Sequence, residues 1–296
     1  MKSIRNYNSP NLKSLIGNTP LIKISPHIYA KLETYNPSGS LKDRMVNYVV
    51  ERARIFGKIT DGSILVEATS GSTGISLAMM AASLGLQCVI FMPKNMSQER
   101  RQMMKAYGAK IIDAPPNDFK GAVIMRDQYL LANDRAWSPK QFTNKYNILC
   151  HQNSTAPEIH KQVIDTKHKW SAFVQGSGTG GTIEGVRKYI EVNNLRTKIC
   201  LTRPAEENHG IQGISIDSGV LFNPDNADRI IEIDTSSAIE RSKLLAQQTG
   251  ILVGISSGAN LLASEKYVET MNPDGVVVTM LCDRGERYMS VYGQQN

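Results

Sequence analysis

Three stretches of this sequence set anion-holding and nucleophilic residue types at telling spacings. Residues 174–186, VQGSGTGGTIEGV, place Gly176, Gly178, Gly180 and Gly181 among the hydroxyls of Thr179 and Thr182, between an apolar run and a helical one. Residues 67–76, EATSGSTGIS, repeat the design with Thr69, Ser70, Gly71, Ser72 and Thr73. In both loops the glycines let backbone N–H groups converge on one anion, and the following helix start adds partial positive charge. One such loop is equally well a tight strand-to-helix turn; two in different halves predict two anionic groups. The third stretch, NPSGSLKDR at 36–44, puts Lys42 just inside a helix start, after Pro37, Gly39 and Ser40. On an arbitrary helix such a lysine only reaches out to solvent.

Gly176, Gly178 and Gly181 also satisfy G-x-G-x-x-G, the dinucleotide fingerprint. That chemistry wants an acidic residue about 20 positions on, at the end of the next strand, for the ribose. Here that strand, TKICLT, runs into Arg203, and Glu206 and Glu207 lie beyond Pro204. Arg203 suits a 2′-phosphate, so a phosphorylated dinucleotide stays open, but Thr179 and Thr182 suit a phosphate monoester better. A lysine, a phosphate cradle and a second anion loop are the parts of an enzyme that joins its amine to an aldehyde cofactor.

The elements that must position these groups alternate from residue 42 onward. SILVE (63–67) precedes a helix over 73–84, QCVIFM (87–92) one near 96–107, and AKIID (109–113) one near 119–133. Gly85 and Gly108 fall where helix-ending glycines are expected. SAFVQ precedes a helix over 180–193; TKICLT (197–202), RIIEID (229–234), a helix to about 249, a helix over 257–270 and GVVVTMLC (275–282) continue the series. Alternating strands and helices predict an α/β fold of parallel sheets, in two lobes with a site in the cleft. The alternation weakens around LANDRAWSPKQFTNKYN, which places the boundary between halves there. The irregular segment 203–228 reads as a functional loop.

Composition excludes several classes. The 296 residues carry a formal net charge of +7, but the basic residues are dispersed. The densest cluster, SQERRQMMKAYGAK, contains Glu99 and reads as a helix with a solvated face, so no nucleic-acid partner is expected. Cys88, Cys150, Cys200 and Cys282 form no C-x-x-C pair, and the five histidines lack ligand spacing, so neither a metal site nor a disulfide framework is predicted. Thiols within or after apolar runs read as buried and inert. No charge occurs from Ala68 to Pro93, yet neither apolar half reaches the ~20 residues of a membrane span. MKSIRNYNSPNLKSL has no apolar core of an export signal, and a cytoplasmic location is expected.

The motifs together resemble the fold-type II pyridoxal-phosphate enzymes, of tryptophan synthase β-like fold, and specifically the cysteine synthases (O-acetylserine sulfhydrylases), B-type above all. IGNTPLIKI (16–24) opens as that family does; NPSGSLKDR, ATSGSTG, GTGGT (178–182) and GISSGA (254–259) resemble its lysine, carboxylate, phosphate and pyridine-nitrogen motifs. MPKNMSQERRQMMKAYGA (92–109) and CDRGERYMS (282–290) resemble the B-type. The resemblance implies pyridoxal 5′-phosphate joined to Lys42, with its phosphate held by Gly178, Thr179, Gly180, Gly181 and Thr182 and its nitrogen by Ser256. It implies a substrate carboxylate at Thr69, Ser70, Gly71 and Thr73, assisted by Gln141. It further implies a larger phosphate-binding domain of residues 1–34 and 146–296, and a smaller mobile domain of residues 35–145.

The implied reaction is a β-replacement through an aminoacrylate, giving L-cysteine or S-sulfocysteine from O-acetylserine or O-phosphoserine and sulfide or thiosulfate. A β-replacement with an amine or other nucleophile, and a serine or threonine ammonia-lyase, are the alternatives. A homodimer, and a serine acetyltransferase peptide as partner, come with the family. Two departures stand out. Ser72 replaces the usual asparagine of the carboxylate motif, where a contact to the cofactor is implied, and the B-type's own sequence before IQGI is not reproduced. No nucleotide-binding regulatory domain is expected after Tyr288.

Overall fold

The computed structural model describes residues 12–293; residues 1–11, where the export-signal reading falls mostly, lie outside the described residues. Among the described residues two sheets form. The six-stranded sheet has the order β1-β2-β10-β7-β8-β9, and the four-stranded one β5-β4-β3-β6. The strands are β1 (Leu21–Ser25), β2 (Ile28–Leu32), β3 (Ile64–Ala68), β4 (Gln87–Pro93), β5 (Lys110–Ala114), β6 (Ala136–Trp137), β7 (Trp170–Gly176), β8 (Lys198–Pro204), β9 (Arg229–Ile233) and β10 (Val276–Leu281).

Every pairing is parallel except β1 with β2. That hairpin precedes the alternating pattern and was not anticipated. Its cause is local: only Pro26 and His27 join the two strands, too short a link for any parallel crossover. The central parallel strands are covered on both faces, so β3 and β10 are buried at every position and read as mainly apolar runs, interrupted only by Glu67 and Thr279.

The helices are α1 (Lys42–Ile55), α2 (Ser72–Leu84), α3 (Gln98–Ala106), α4 (Phe119–Leu131), α5 (Lys145–Cys150), α6 (Ala156–Asp165), α7 (Gly181–Val192), α8 (Thr235–Thr249) and α9 (Ile255–Met271). A π-helical turn, His151–Thr155, joins α5 to α6. The uncharged stretch from Ala68 to Pro93 resolves into a loop, the buried helix α2 and strand β4, and no helix among the described residues is long and apolar enough to cross a membrane. Gly85 ends α2 with φ of +66°, and Gly108 follows α3 at +85°.

An ionic cluster fixes α1 just past its first residue. Arg44 grips Glu33 through Nε and Nη2 at 2.7 and 2.8 Å, and Glu158 through Nη1 and Nη2 at 2.7 Å each. Lys31, fully buried, pairs with Glu158 at 2.9 Å. On the other side Asp43 accepts from the Ser38 and Ser76 hydroxyls and from Ser38 N. The turn before Lys42 is stitched to the end of β10: Leu41 N donates to Cys282 O at 2.8 Å, Arg284 N to Gly39 O at 3.1 Å, and Ser40 bridges Asp283.

Candidate active site

Parallel sheets bind ligands beyond the C-terminal ends of their strands. Here the ends of β3, β7 and β10 open onto one cavity of about 550 Å³, within the range of small-molecule sites. Lys42 stands in its wall as the first residue of α1, with its backbone N–H donating to Ser40 Oγ at 3.2 Å.

The 178–182 loop forms one end. Gly180 caps α7 in the left-handed region, φ +92°, where other residues are strained, and contributes no side chain to the helix's first N–H groups. Gly181 N donates to Thr179 Oγ1 at 3.2 Å, and the N–H groups after it face the cavity end of the helix, an arrangement suited to an anion. Gly178 is required by a close approach: a Cβ there would lie 2.4 Å from Gly213 O. Gly213 belongs to the irregular 203–228 segment, which lines the cavity with His209 and Gly213–Ile216. It is tied to the glycine loop by Ser215 N donating to Ser177 O at 2.8 Å and Leu221 N to Thr179 O at 3.0 Å. The irregular segment is therefore a wall of the cavity on the side of the 178–182 loop. Asn147 Nδ2 donates to Thr179 Oγ1 at 3.0 Å, and behind Thr182 sits His151, whose Nε2 is 3.3 Å from Thr182 Oγ1. Burial, with the charges of Arg44 and Lys42, holds the His151 imidazole well below its ordinary pKa, so it stays neutral.

The 69–73 loop forms the opposite side. Thr73 donates to Gln141 Oε1 at 2.7 Å, which leaves the Gln141 amide nitrogen as what that side chain offers the cavity. Gln141 is held from behind by Glu67: Oε2 accepts from Gln141 N at 3.2 Å, while Oε1 accepts from Ala68 N and Arg126 Nη1 at 2.8 Å each. Ser72 turns its hydroxyl to Asp283 Oδ2, at 2.8 Å, and Tyr288 donates to the same oxygen at 2.9 Å. Ser256, in the first turn of α9, lines the cavity and is buried.

The fold thus brings Lys42, Thr69, Ser70, Gly71, Ser72, Thr73, Gln141, Gly178, Thr179, Gly180, Thr182 and Ser256 to one cavity; Gly181, the first residue of α7, sits just behind that wall. Sequence reasoning missed Asp283, Tyr288, His209 and Arg100, all of which line the cavity. Two readings gain detail. Helix α3 does present a solvated face, with Gln98, Gln102 and Lys105 exposed, but Arg100 lies on its other side and is only 3% exposed, because the 282–288 turn covers it. Cys282 was read as an inert core thiol, yet it lines the cavity because β10 ends one residue before it.

A family model described as pyridoxal-phosphate dependent enzyme matches residues 12–283. The chain is 36% identical to a cysteine synthase of Staphylococcus aureus over 303 residues, covering 95% of each chain. It is 38% identical to cysteine synthase B of Campylobacter jejuni over 293 residues, covering 94% of this chain and 96% of that one. Among solved structures, a hydrogen sulfide-producing enzyme from Fusobacterium nucleatum superposes with a TM-score of 0.90 at 33% identity, covering 96% of this chain and 91% of that one.

Proposed function

Since the chain belongs to the pyridoxal-phosphate-dependent enzymes, and within them to the cysteine synthase type, we propose that it forms L-cysteine or S-sulfocysteine by β-replacement on O-acetylserine or O-phosphoserine, with sulfide or thiosulfate as the incoming group. The observation that carries this reading is the cavity itself: one lysine between two separate anion cradles.

The residues present fit pyridoxal phosphate. The glycine-led start of α7 and the hydroxyls of Thr179 and Thr182 suit its phosphate monoester, and Lys42 offers the amine for its aldehyde. When bound, the cofactor supplies an electron sink for negative charge at the substrate's α-carbon. Lys42 Nζ, once released by the incoming amino acid, takes the α-proton and later returns one. The N–H groups and hydroxyls of the 69–73 loop, with the Gln141 amide, orient the carboxylate. Ser256 offers the ring nitrogen a hydroxyl, and no carboxylate is assigned there. A hydroxyl leaves the sink weaker, which favours expelling a β-substituent over storing charge. We assign residues 35–145 as the smaller unit that carries the carboxylate loop; the separate four-stranded sheet, β3 to β6, supports that division.

The test is to load the full chain with cofactor and follow its visible spectrum on adding O-acetylserine or O-phosphoserine, then sulfide or thiosulfate. The reading expects a spectral change with one of the two serine esters that reverses on adding the sulfur nucleophile, with cysteine or S-sulfocysteine as product. Pyruvate or 2-oxobutyrate from serine or threonine, without any nucleophile, would make the chain a lyase instead.

A further inference from the structure

Four arginines are buried in this fold: Arg44, Arg100, Arg126 and Arg287. Arg44 and Arg126 are paired to the carboxylates of Glu33 and Glu67, and Arg287 feels the buried Asp43. Neither Arg100 nor Arg287 has a carboxylate at ion-pair distance among the described residues, and both leave a buried Nε without a partner; of the two, only Arg100 lines the cavity, while Arg287 donates to Ser38 O. Arg100 stacks over the Tyr288 ring at 4.7 Å, and its Nη1 makes one long hydrogen bond, 3.3 Å, to Ser70 O. Asp283 forms no ion pair with it; its Oδ2 takes the hydroxyls of Tyr288 and Ser72. A buried guanidinium left this incomplete is costly unless an anion arrives.

Its position says which anion. Arg100 lines the same cavity as the 69–73 loop. It lies directly beneath Gly71: a Cβ on that residue would meet Arg100 Cδ at 2.9 Å and Nη1 at 3.0 Å. Only glycine leaves room for the cation this close under the loop. The loop offers N–H groups, hydroxyls and the partial positive charge of the α2 start, which already favour a carboxylate over a carboxamide; a full cation beneath them adds to that preference.

We propose that Arg100 is a specificity-determining residue that supplies the positive charge for the substrate's α-carboxylate from beneath the 69–73 loop. This rests on the reading of that loop as the carboxylate site. The loop gives the shape of the subsite and part of its preference for an anion, and Arg100 adds a full positive charge, so ligands lacking the negative charge gain least from its presence.

The experiment uses the full, cofactor-loaded chain and compares L-serine with L-serinamide, by titration calorimetry and by the cofactor's visible spectrum. The wild type is expected to prefer L-serine by about tenfold to a hundredfold, the value of a charge-assisted contact. Arg100→Gln is expected to lower that preference by at least about threefold while leaving L-serinamide binding close to wild type. A glutamine variant that keeps the full preference, or weakens both ligands equally, overturns the proposal. Arg100→Lys retains charge but gives up the stacked plane, and is expected to keep most of the preference. If the glutamine variant does not fold, the lysine variant decides alone, since loss of preference with the charge intact would also overturn the assignment. A wild type that shows no preference removes the carboxylate reading of the loop and the inference with it. A preference untouched by Arg100→Gln removes only the inference.

Discussion

Ser72 Oγ donates to Asp283 Oδ2 at 2.8 Å, across 211 positions of sequence, so the residue that departs from the family's usual asparagine is bound to the end of the other sheet. Asp283 Oδ2 takes the Tyr288 hydroxyl as well, while Oδ1 is buried without a partner. Ser72→Ala should therefore cost about 1.5–3 kcal/mol of stability in urea unfolding, the worth of a hydrogen bond to a charged acceptor. Ser72→Asn, with a longer arm into the cavity, should raise kcat/KM for O-acetylserine by about threefold to tenfold, one net hydrogen bond. A loss in that assay would mean the serine is fitted to a different amino-acid substrate.

Lys42→Ala should remove the covalent bond to the cofactor. After borohydride treatment the wild-type chain should carry the cofactor's mass on Lys42 and the variant should not. Turnover should fall by at least about 10²–10⁴-fold, the usual contribution of a placed acid–base group. Residual wild-type turnover in the variant would contradict the assignment.

Glu67→Gln is nearly isosteric but sets an amide against three donors, from Ala68, Gln141 and Arg126. One of them must lose its acceptor, and the Gln141 loop is the member held by the longest bond, 3.2 Å. The expected result is a KM for the amino-acid substrate raised about fivefold to a hundredfold, corresponding to about 1–3 kcal/mol, with cofactor affinity unchanged. Parallel loss of cofactor would show that the change is not confined to the carboxylate side.

Glu158 governs acid stability. Burial alone would raise its carboxyl, but the hydrogen bonds and charge of Arg44, with Lys31, hold it at about 2, below its ordinary 4.5. The folded form thus binds its proton later than the unfolded chain. This stabilisation is complete above the ordinary value and is lost as pH falls from there toward 2. Glu158→Gln should cost about 3–5 kcal/mol at neutral pH, the penalty of breaking a buried pair. In urea unfolding at a series of pH values, its deficit against wild type should shrink through that acid window.

Much of this architecture was legible because local pattern and long-range role coincide. Lys42 sits where Pro37, Gly39 and Ser40 announced a helix start, and Gly180 sits where the left-handed cap was needed. The parallel strands betrayed themselves as apolar runs because both faces are covered. What escaped depends on partners remote in sequence. Arg100 looks like one more surface charge until Tyr288, far along the chain, closes over it. Asp283 gains its meaning only from Ser72, and His151 only from Thr182 on the next helix. The β1–β2 hairpin carries no period that distinguishes it from an isolated strand pair at a sheet edge.

The backbone bonds from Leu41 to Cys282 and from Arg284 to Gly39 bear on how the two sides of the cleft are held. Lys42 stands beside this joint at the end of β10. Ser72, inside the Thr69–Thr73 loop, is fastened to the same strand end through Asp283. The amine and the loop that faces it thus share one anchorage, and a change at that strand end reaches both sides of the cleft at once.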